Sequence, residues 1–365
     1  MSSSAVTMKT RPDKARVARP APPSSTRSAT PLKVLPRFRR ALLGWYDDHR
    51  RDLPWRKTRD PYPIWLSEIM LQQTRVAAVL EHYRVFLERF PDVAALAAAS
   101  ENAVLAAWSG LGYYRRARMM HQCARQIIDQ HGGEFPRNSE TLLTLPGIGR
   151  YTAAAIASIA FAEPIAVVDG NVERVLQRLT GTNLTAQQTW QHAQALLEES
   201  RPGDFNQAMM ELGATVCVPR GPLCSACPIR KWCVTKGEIA RAKPITRQGK
   251  KQIWCALDHR DCANNTGGKI RLVQRPKKIP LMAGMWELPQ SSEPPDPFPH
   301  EAHWRTFRHS ITVTDYTVHV LRNVALRNVS DAVPPSKCRW IATNRISQLP
   351  ITGLTRKILR ASGII

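Results

Sequence analysis

Helical periodicity runs through most of the first two thirds of the chain. From residue 36 to about residue 216, apolar residues recur at the helical spacing, and Gly or Pro residues separate the runs. This pattern predicts one helix after another, and no run there is typical of a strand. The predicted helices cover residues 36–50, 64–80, 101–109, 113–130, 151–161 and 171–179.

The pattern changes near residue 236. Residues 236–252 are basic and polar, which is typical of a linker. Short runs of β-forming residues follow, with Gly and Pro clusters between them. These runs are 253–257, 270–274 and 311–320. We therefore expect a mainly α protein, with a helical domain at 36–235, an α+β domain at 253–365 and a disordered basic tail at 1–35.

The charge of the chain points to a polyanionic partner. Its formal net charge is +23, of which the tail contributes only +6, so a basic tail alone does not account for the total. We expect nucleic acid and not a membrane surface, because no amphipathic basic helix stands out. The sequence has no apolar run long enough to span a membrane and no secretory signal at its start. The tail has the composition of an organelle transit peptide, but its prolines would interrupt an amphipathic helix.

Four of the eight cysteines lie close together. Cys217, Cys224, Cys227 and Cys233 have the spacing C-x6-C-x2-C-x5-C, and four thiolates so near in sequence can close around one metal ion or cluster. This arrangement indicates a metal site in a reducing compartment and not a disulfide framework. Structural zinc usually takes two CxxC pairs, whereas only one is present here. An iron–sulfur cluster is therefore favoured, with zinc as the alternative.

Residues 145–150 read LPGIGR and lie between two predicted helices. Gly147 and Gly149 allow a tight turn and a close approach of the backbone, and the helix that begins near Arg150 would present its N-terminal N–H groups to an anion. This arrangement suits a DNA phosphate, although an ordinary turn between helices explains the glycines equally well.

Two carboxyl groups are candidates for acid–base chemistry. Glu68 lies in the apolar stretch WLSEIMLQQT, where burial would raise its pKa and let it hold a proton. Asp169 lies in VVDGNV. A half-exposed helical position for Glu68 and a simple N-cap role for Asp169 remain open alternatives.

The stretches WLSEIMLQQTRV, GLGYYRRAR, LPGIGRYTAAAIAS and VVDGNVERVL resemble the MutY-type adenine DNA glycosylases. The resemblance is close over residues 40–235 and looser beyond them. It implies a helix–hairpin–helix glycosylase fold with a [4Fe–4S] cluster held by the loop 217–233, followed by a Nudix-like domain at 253–365. The expected substrate is double-stranded DNA that carries adenine opposite 8-oxoguanine or guanine.

The resemblance also assigns roles to residues. Glu68 is the general acid that protonates adenine N7, and Asp169 stabilises the oxocarbenium ion or links to it transiently. Tyr151 and Asn171 assist around the sugar and the leaving base. Bifunctional relatives carry a lysine at the position of Tyr151, so a monofunctional enzyme is implied.

Further residues match the family's binding positions. Gln73 and Tyr113 match the wedge that fills the stack when a base is flipped. The adenine pocket is expected from Trp55, Arg56, Leu71, Val76 and Gln207, although Trp55 and Leu71 are equally suited to a hydrophobic core. Phosphate contacts are expected from Gly147, Gly149, Arg150, Arg115, Arg116 and Arg118.

The C-terminal region resembles the Nudix-like domain at residues 272–276 and 284–290, but lacks the glutamate-rich helix of active Nudix hydrolases. The family reads 8-oxoguanine through a Phe-Ser-His loop within a stretch FxHxFSH. Residues 307–313 read FRHSITV, which places Thr312 at the serine and Val313 at the histidine. We therefore expect weaker 8-oxoguanine recognition.

Two rival functions are an endonuclease III-like pyrimidine glycosylase with lyase activity and a catalytically silent iron–sulfur DNA-binding protein. Tyr151 argues against the first, and the pair of Glu68 and Asp169 argues against the second. We expect a monomer that does not bind membranes. Its expected location is the bacterial cytoplasm at the nucleoid, or the nucleus or mitochondrion in a eukaryote.

Overall fold

The computed structural model describes residues 35–238, 249–260, 268–279, 281–324 and 338–365. The predicted basic tail up to residue 34 and residues 239–248 of the predicted linker lie outside these ranges. Within the described residues, no helix is both long and apolar enough to cross a membrane.

Helices make up the first part of the protein, as the periodicity predicted. They are α1 (Leu35–His49), α2 (Pro61–Leu71), α3 (Val76–Arg89), α4 (Val93–Ala98), α5 (Glu101–Ala107), α6 (Arg115–His131), α7 (Ser139–Leu142), α8 (Arg150–Phe161), α9 (Gly170–Thr180), α10 (Ala186–Leu196) and α11 (Pro202–Thr215). Helices α2 to α8 enclose one apolar core, and α1 packs with α9, α10 and α11 around a second. The two cores form the two lobes of the helical part.

The predicted helix at 64–80 is wrong as a single element. Helix α2 ends at Leu71, and α3 begins at Val76 after a turn in which Gln73 has φ +57°. The guanidinium of Arg116 donates to the carbonyl oxygens of Ile69, Met70 and Gln72 at 2.6 to 3.1 Å and so caps the end of α2. Apolar periodicity continues across this break, so the sequence pattern does not reveal it.

The C-terminal region is α+β, as predicted. Its elements are β1 (Gly249–Leu257), β2 (His259–Arg260), β3 (Lys269–Gln274), β4 (Trp286–Glu287), β5 (Gln290–Ser291), β6 (His303–Ile311), β7 (Thr314–Arg322), β8 (Cys338–Ala342) and α12 (Gly353–Ala361). One sheet has the order β5-β1-β7-β6, in which β1 and β7 run parallel. In the second sheet β3 pairs with β2, β4 and β8, all antiparallel.

Two predicted boundaries in this region are wrong. Residues 249–252 of the predicted linker already belong to β1, because they pair with residues 314–317 of β7. The predicted strand at 311–320 is interrupted at Thr312, where φ is +52°, so the run forms the end of β6, a tight turn and most of β7. Alternating β-forming residues do not mark a turn that lacks Gly, Asn or Pro.

The two parts of the protein meet at a polar seam. Ser109 Oγ and Tyr114 OH both donate to the carbonyl oxygen of Ile351, at 2.8 and 3.2 Å. Arg356 Nε of α12 in turn donates to Ser109 Oγ at 3.0 Å. Met285 of the C-terminal region is fully buried within the core of the helical part. These contacts hold the C-terminal region against the end of α5 and the start of α6.

Candidate active site

Glu68 is buried on α2, so the half-exposed position that periodicity allowed is wrong. Its exposure is 6%, and apolar side chains surround the helix on nearly all sides. Burial raises the pKa of Glu68 to about 7, and the nearby charge of Asp169 also raises it. The hydrogen bond from Tyr151 and the charge of Arg56 act in the opposite direction. A carboxyl group with this pKa can both hold and release a proton near neutral pH.

Tyr151 joins Glu68 to the hairpin. It lies in the first turn of α8, and its hydroxyl donates to Glu68 Oε2 at 2.5 Å. Burial is the main cause that raises the pKa of Tyr151 well above its ordinary value, so the hydroxyl remains a donor. Tyr151 is therefore placed to hold the orientation of the Glu68 carboxyl group.

Asp169 is the N-cap of α9, so the cap alternative is confirmed. One carboxylate oxygen accepts from the backbone N–H groups of Asn171 and Val172 at 2.9 and 2.7 Å. The other accepts from Asn171 Nδ2 at 2.7 Å. The cap does not exclude a chemical role, because the capping contacts fix the carboxylate close enough to Glu68 to raise the pKa of Glu68. Glu68, Tyr151, Asp169 and Asn171 thus form one cluster.

The predicted adenine-pocket residues differ in their surroundings. Trp55 is 6% exposed and packs edge-on against Tyr83, as a core residue would. Leu71 and Val76 are half-buried on either side of the break between α2 and α3. Gln207 is buried on α11 at 9% exposure. Arg56 lies close enough to Glu68 for its charge to lower the pKa of that carboxyl group.

The predicted wedge residues lie on the wall of a cleft of about 770 Å³ between the helical part and the C-terminal region. Gln73 has φ +57° and Tyr113 has φ +48°, a left-handed conformation that costs free energy for residues other than glycine. The side chain of Tyr113 is 51% exposed. Backbone strain of this kind is common at binding sites, where the surrounding structure holds the residue in an unfavourable conformation.

The turn between β6 and β7 also lines the cleft. His309 and Thr312 line it, together with Met282. Thr312 Oγ1 donates to the carbonyl oxygen of Ile311 at 2.7 Å. Val313 is 46% exposed and is not among the residues that line the cleft. The stretch that the sequence singled out, apart from Val313 and its first two residues, therefore lines the same cleft as the predicted wedge.

The hairpin before α8 depends on its two glycines in different ways. Gly147 has φ +77°, and a Cβ there would lie 2.7 Å from the Cβ of Met119. Gly149 is the N-cap of α8, and a Cβ there would meet open space. The guanidinium of Arg150 stacks 3.9 Å above the ring of Trp190 on α10. The start of α8 is thus open to an anion.

The three arginines at the start of α6 do not share one role. Arg115 is exposed and free to approach a phosphate. The prediction for Arg116 is wrong, because its guanidinium caps α2, and burial lowers its pKa to about 10. Arg118 is also engaged within the protein, since it donates to Glu101 at 3.0 Å and to the carbonyl oxygen of Ala283.

The four clustered cysteines line one small cavity beside α9. The seven cysteines that the structure describes form no disulfide. Arg178, Arg230 and Lys236 also line the cavity, with no carboxylate among the described residues there. Arg178 Nη1 donates to Cys217 Sγ at 3.3 Å. Four thiols surrounded by cations are a donor set that fits an anionic thiolate-ligated group.

Residues 66–200 match the family described as HhH-GPD superfamily base excision DNA repair protein. The chain is 36% identical to the adenine DNA glycosylase of Mus musculus over 88% of its own length and 77% of that protein. It is 40% identical to the adenine DNA glycosylase of Rattus norvegicus, over 74% of the chain and 64% of the relative's length.

The chain belongs to the adenine DNA glycosylase family. It spans somewhat less than two thirds of the rat relative. Among solved structures, a thermostable thymine-DNA glycosylase superposes with a TM-score of 0.53 at 33% identity, over 56% of this chain and 97% of that one. The family assignment and the helical fold therefore agree with the resemblance in the motifs.

One buried charged residue near Glu68 was not predicted from the sequence. Glu211 on α11 is fully buried, and it accepts from Arg51 Nη2 and Arg56 Nη2, each at 2.7 Å. Burial alone would raise the pKa of Glu211, but the hydrogen bonds from the two arginines outweigh it and hold the pKa at about 2. The signal in the sequence was a single acid within the apolar run AMMELGA.

Proposed function

We propose that this protein is a monofunctional adenine DNA glycosylase that hydrolyses the N-glycosidic bond of adenine mispaired with 8-oxoguanine or guanine. The observation that carries the proposal is the buried Glu68, with a pKa of about 7, hydrogen-bonded to Tyr151. Adenine leaves readily only when a ring nitrogen is protonated, so the reaction needs a carboxyl group that still holds its proton at neutral pH. The names of the mouse and rat relatives support adenine as the base removed.

The chemistry follows from the cluster. Glu68 protonates N7 of the flipped adenine, and the glycosidic bond breaks with oxocarbenium character on the sugar. The carboxylate of Asp169, fixed by Asn171 and by the start of α9, stabilises that positive charge. Glu68, now ionised, takes a proton from the attacking water. Tyr151 holds Glu68 in one orientation throughout these steps.

The decisive experiment is single-turnover adenine release by Glu68→Gln. Glutamine keeps the shape and the hydrogen bond from Tyr151 but carries no transferable proton. We expect near-normal binding of a mispaired duplex and a loss of adenine release of about 100-fold or more. Glu134→Gln, at an exposed position, is the matched control. Release by Glu68→Gln within about tenfold of the wild type would contradict the assignment.

The rival pyrimidine activity has its own test. A lyase forms a Schiff base through a lysine, whereas the residue after the hairpin here is Tyr151. Borohydride should therefore trap no covalent complex with DNA. A duplex that carries thymine opposite guanine is included because of the likeness to a thymine-DNA glycosylase. Release of thymine instead of adenine would favour the rival.

We further propose that Cys217, Cys224, Cys227 and Cys233 hold a [4Fe–4S] cluster. The four thiols line one small cavity together with Arg178 and Arg230, and the sequence has a single CxxC pair where structural zinc usually takes two. When bound, the cluster would fix the loop that carries Arg220 and Arg230 for contact with phosphates. Anaerobically purified protein should contain iron. One zinc per chain without iron would refute this proposal, and Cys224→Ser should reduce DNA affinity more than chemistry on bound substrate.

We also propose that discrimination between 8-oxoguanine and guanine is weaker than in relatives with a Phe-Ser-His loop. The hydroxyl of Thr312 is already bonded to the carbonyl oxygen of Ile311, and Val313 offers no donor. Loss of one hydrogen bond corresponds to a roughly two- to tenfold smaller preference. The double variant Thr312→Ser with Val313→His should restore it. If the preference for 8-oxoguanine is unchanged in the double variant, positions 312 and 313 do not recognise the lesion. The next residue to substitute would then be His309, which also lines the cleft.

A further inference from the structure

A buried ion pair lies near the general acid. Arg56 is 10% exposed at its side chain, and its Nη2 lies 2.7 Å from Oε2 of the fully buried Glu211. Arg56 Nη1 also donates to the carbonyl oxygen of Arg51 at 3.1 Å, and its guanidinium lies 5.5 Å from the centre of the Tyr46 ring. The arginine is therefore held at several points.

The charged and titratable groups that act on Glu68 belong to three different elements. They are Tyr151 from α8, Asp169 from the start of α9 and Arg56 from the turn before α2. Arg56 is the cation of this set, and a free cation beside a buried carboxyl group would stabilise the carboxylate form. A general acid needs the protonated form, so an uncompensated Arg56 would work against the reaction.

We propose that Glu211 is a positioning residue that neutralises and fixes Arg56, and thereby keeps Glu68 protonated for adenine release. This inference rests on the proposed function, because it gives Glu68 the role of the acid. The geometry supports it in two ways. The same carboxylate oxygen of Glu211 accepts from both Arg51 and Arg56, and Glu211 is completely shielded from water. A buried carboxylate bound this tightly remains ionised across the working pH range.

The proposal predicts a change of pH dependence and not merely of rate. In the wild type, adenine release should decline as the pH rises through the pKa of Glu68, about 7. In Glu211→Gln the charge of Arg56 is no longer balanced, so the pKa of Glu68 falls and the decline begins at lower pH. A fall of about one pH unit makes release about tenfold slower at pH 8, while the rate at low pH stays near that of the wild type.

Two further variants separate this effect from a general loss of structure. Arg56→Gln removes the cation but leaves Glu211 charged, so the decline should move to higher pH, opposite to Glu211→Gln. Arg40→Gln is the matched control, because Arg40 is exposed on α1 and its loss removes one arginine charge while it leaves Arg51, Arg56 and Glu211 in place. The decline in Arg40→Gln should stay within about 0.3 pH unit of the wild type.

A second experiment measures the pKa of Glu68 from protein stability and does not depend on adenine release. The difference in unfolding free energy between the protein and its Glu68→Gln form, followed from about pH 4 to pH 9, grows as the pH rises from 4.5 and levels off at the folded-state pKa of Glu68, about 7. In the Glu211→Gln background this difference should level off at lower pH and at a smaller value. If the wild type releases no adenine, the proposed function fails, and this titration still tests the link from Glu211 to Glu68. A decline and a titration that stay in place in both Glu211→Gln and Arg56→Gln would overturn the inference.

Discussion

Replacement of the general acid should make the protein more stable at alkaline pH. Glu68 is buried, and its pKa rises from an ordinary 4.5 to about 7 on folding. A group whose pKa is raised on folding binds its proton more tightly in the native state, so the free energy of unfolding falls as the pH rises from 4.5 to 7. Each pH unit carries about 1.4 kcal/mol, so above pH 7 the ionised Glu68 destabilises the fold by about 3 kcal/mol.

Glu68→Gln removes this ionisation and retains an acceptor for the hydroxyl of Tyr151. The variant should therefore gain up to about 3 kcal/mol over the wild type near pH 8.5, and less than about 1 kcal/mol near pH 5. Urea unfolding at the two pH values measures the difference, with Glu134→Gln as the exposed control that should change by less than about 0.5 kcal/mol at both. An equal effect of Glu68→Gln at the two pH values would refute the argument, because it would mean that Glu68 does not titrate between them.

Four other substitutions test the hairpin, the arginines of α6 and the N-cap. Gly147→Ala should cost about 1 to 3 kcal/mol of stability, measured by thermal unfolding, because of the positive φ and the contact with Met119; unchanged stability would show that the turn can relax. Arg115→Gln should reduce the salt dependence of DNA binding by about one phosphate contact, whereas Arg116→Gln should leave that slope unchanged and lower the melting temperature; equal slopes for the two would contradict their assignment. Asp169→Asn should keep the melting temperature within a few degrees, since asparagine caps helices well, yet abolish adenine release; a fully active variant would exclude the charge of Asp169 from the reaction.

The sequence supported those features that depend on neighbours along the chain. The helices, the burial of Glu68 in an apolar helix and the N-cap at Asp169 all follow from short stretches of residues. The features that it did not support depend on partners far away. Helix α2 ends at Leu71 because Arg116 reaches its carbonyl oxygens from α6, and no local pattern marks that contact.

The same limit applies to charged residues. A run of arginines at the start of α6 favours phosphate contacts for all of them, yet only Arg115 is left exposed once the chain has folded. Glu211 was overlooked because an isolated acid in an apolar helix has many explanations until its partners are known. Its two partners, Arg51 and Arg56, are about 160 residues away in sequence, and only the packing of α11 brings them together.

The seam between the two parts of the protein has a consequence for the DNA. Because Ser109 and Tyr114 share the carbonyl oxygen of Ile351, and Arg356 donates to Ser109, the seam resists relative movement of the two parts that line the cleft. On the proposed function, a duplex bound in this cleft contacts residues of both parts at once, and a base must leave the stack to reach Glu68. Mispaired steps deform at a lower free-energy cost than paired ones, so we expect a cleft held in this way to favour a mispaired duplex over a correctly paired one.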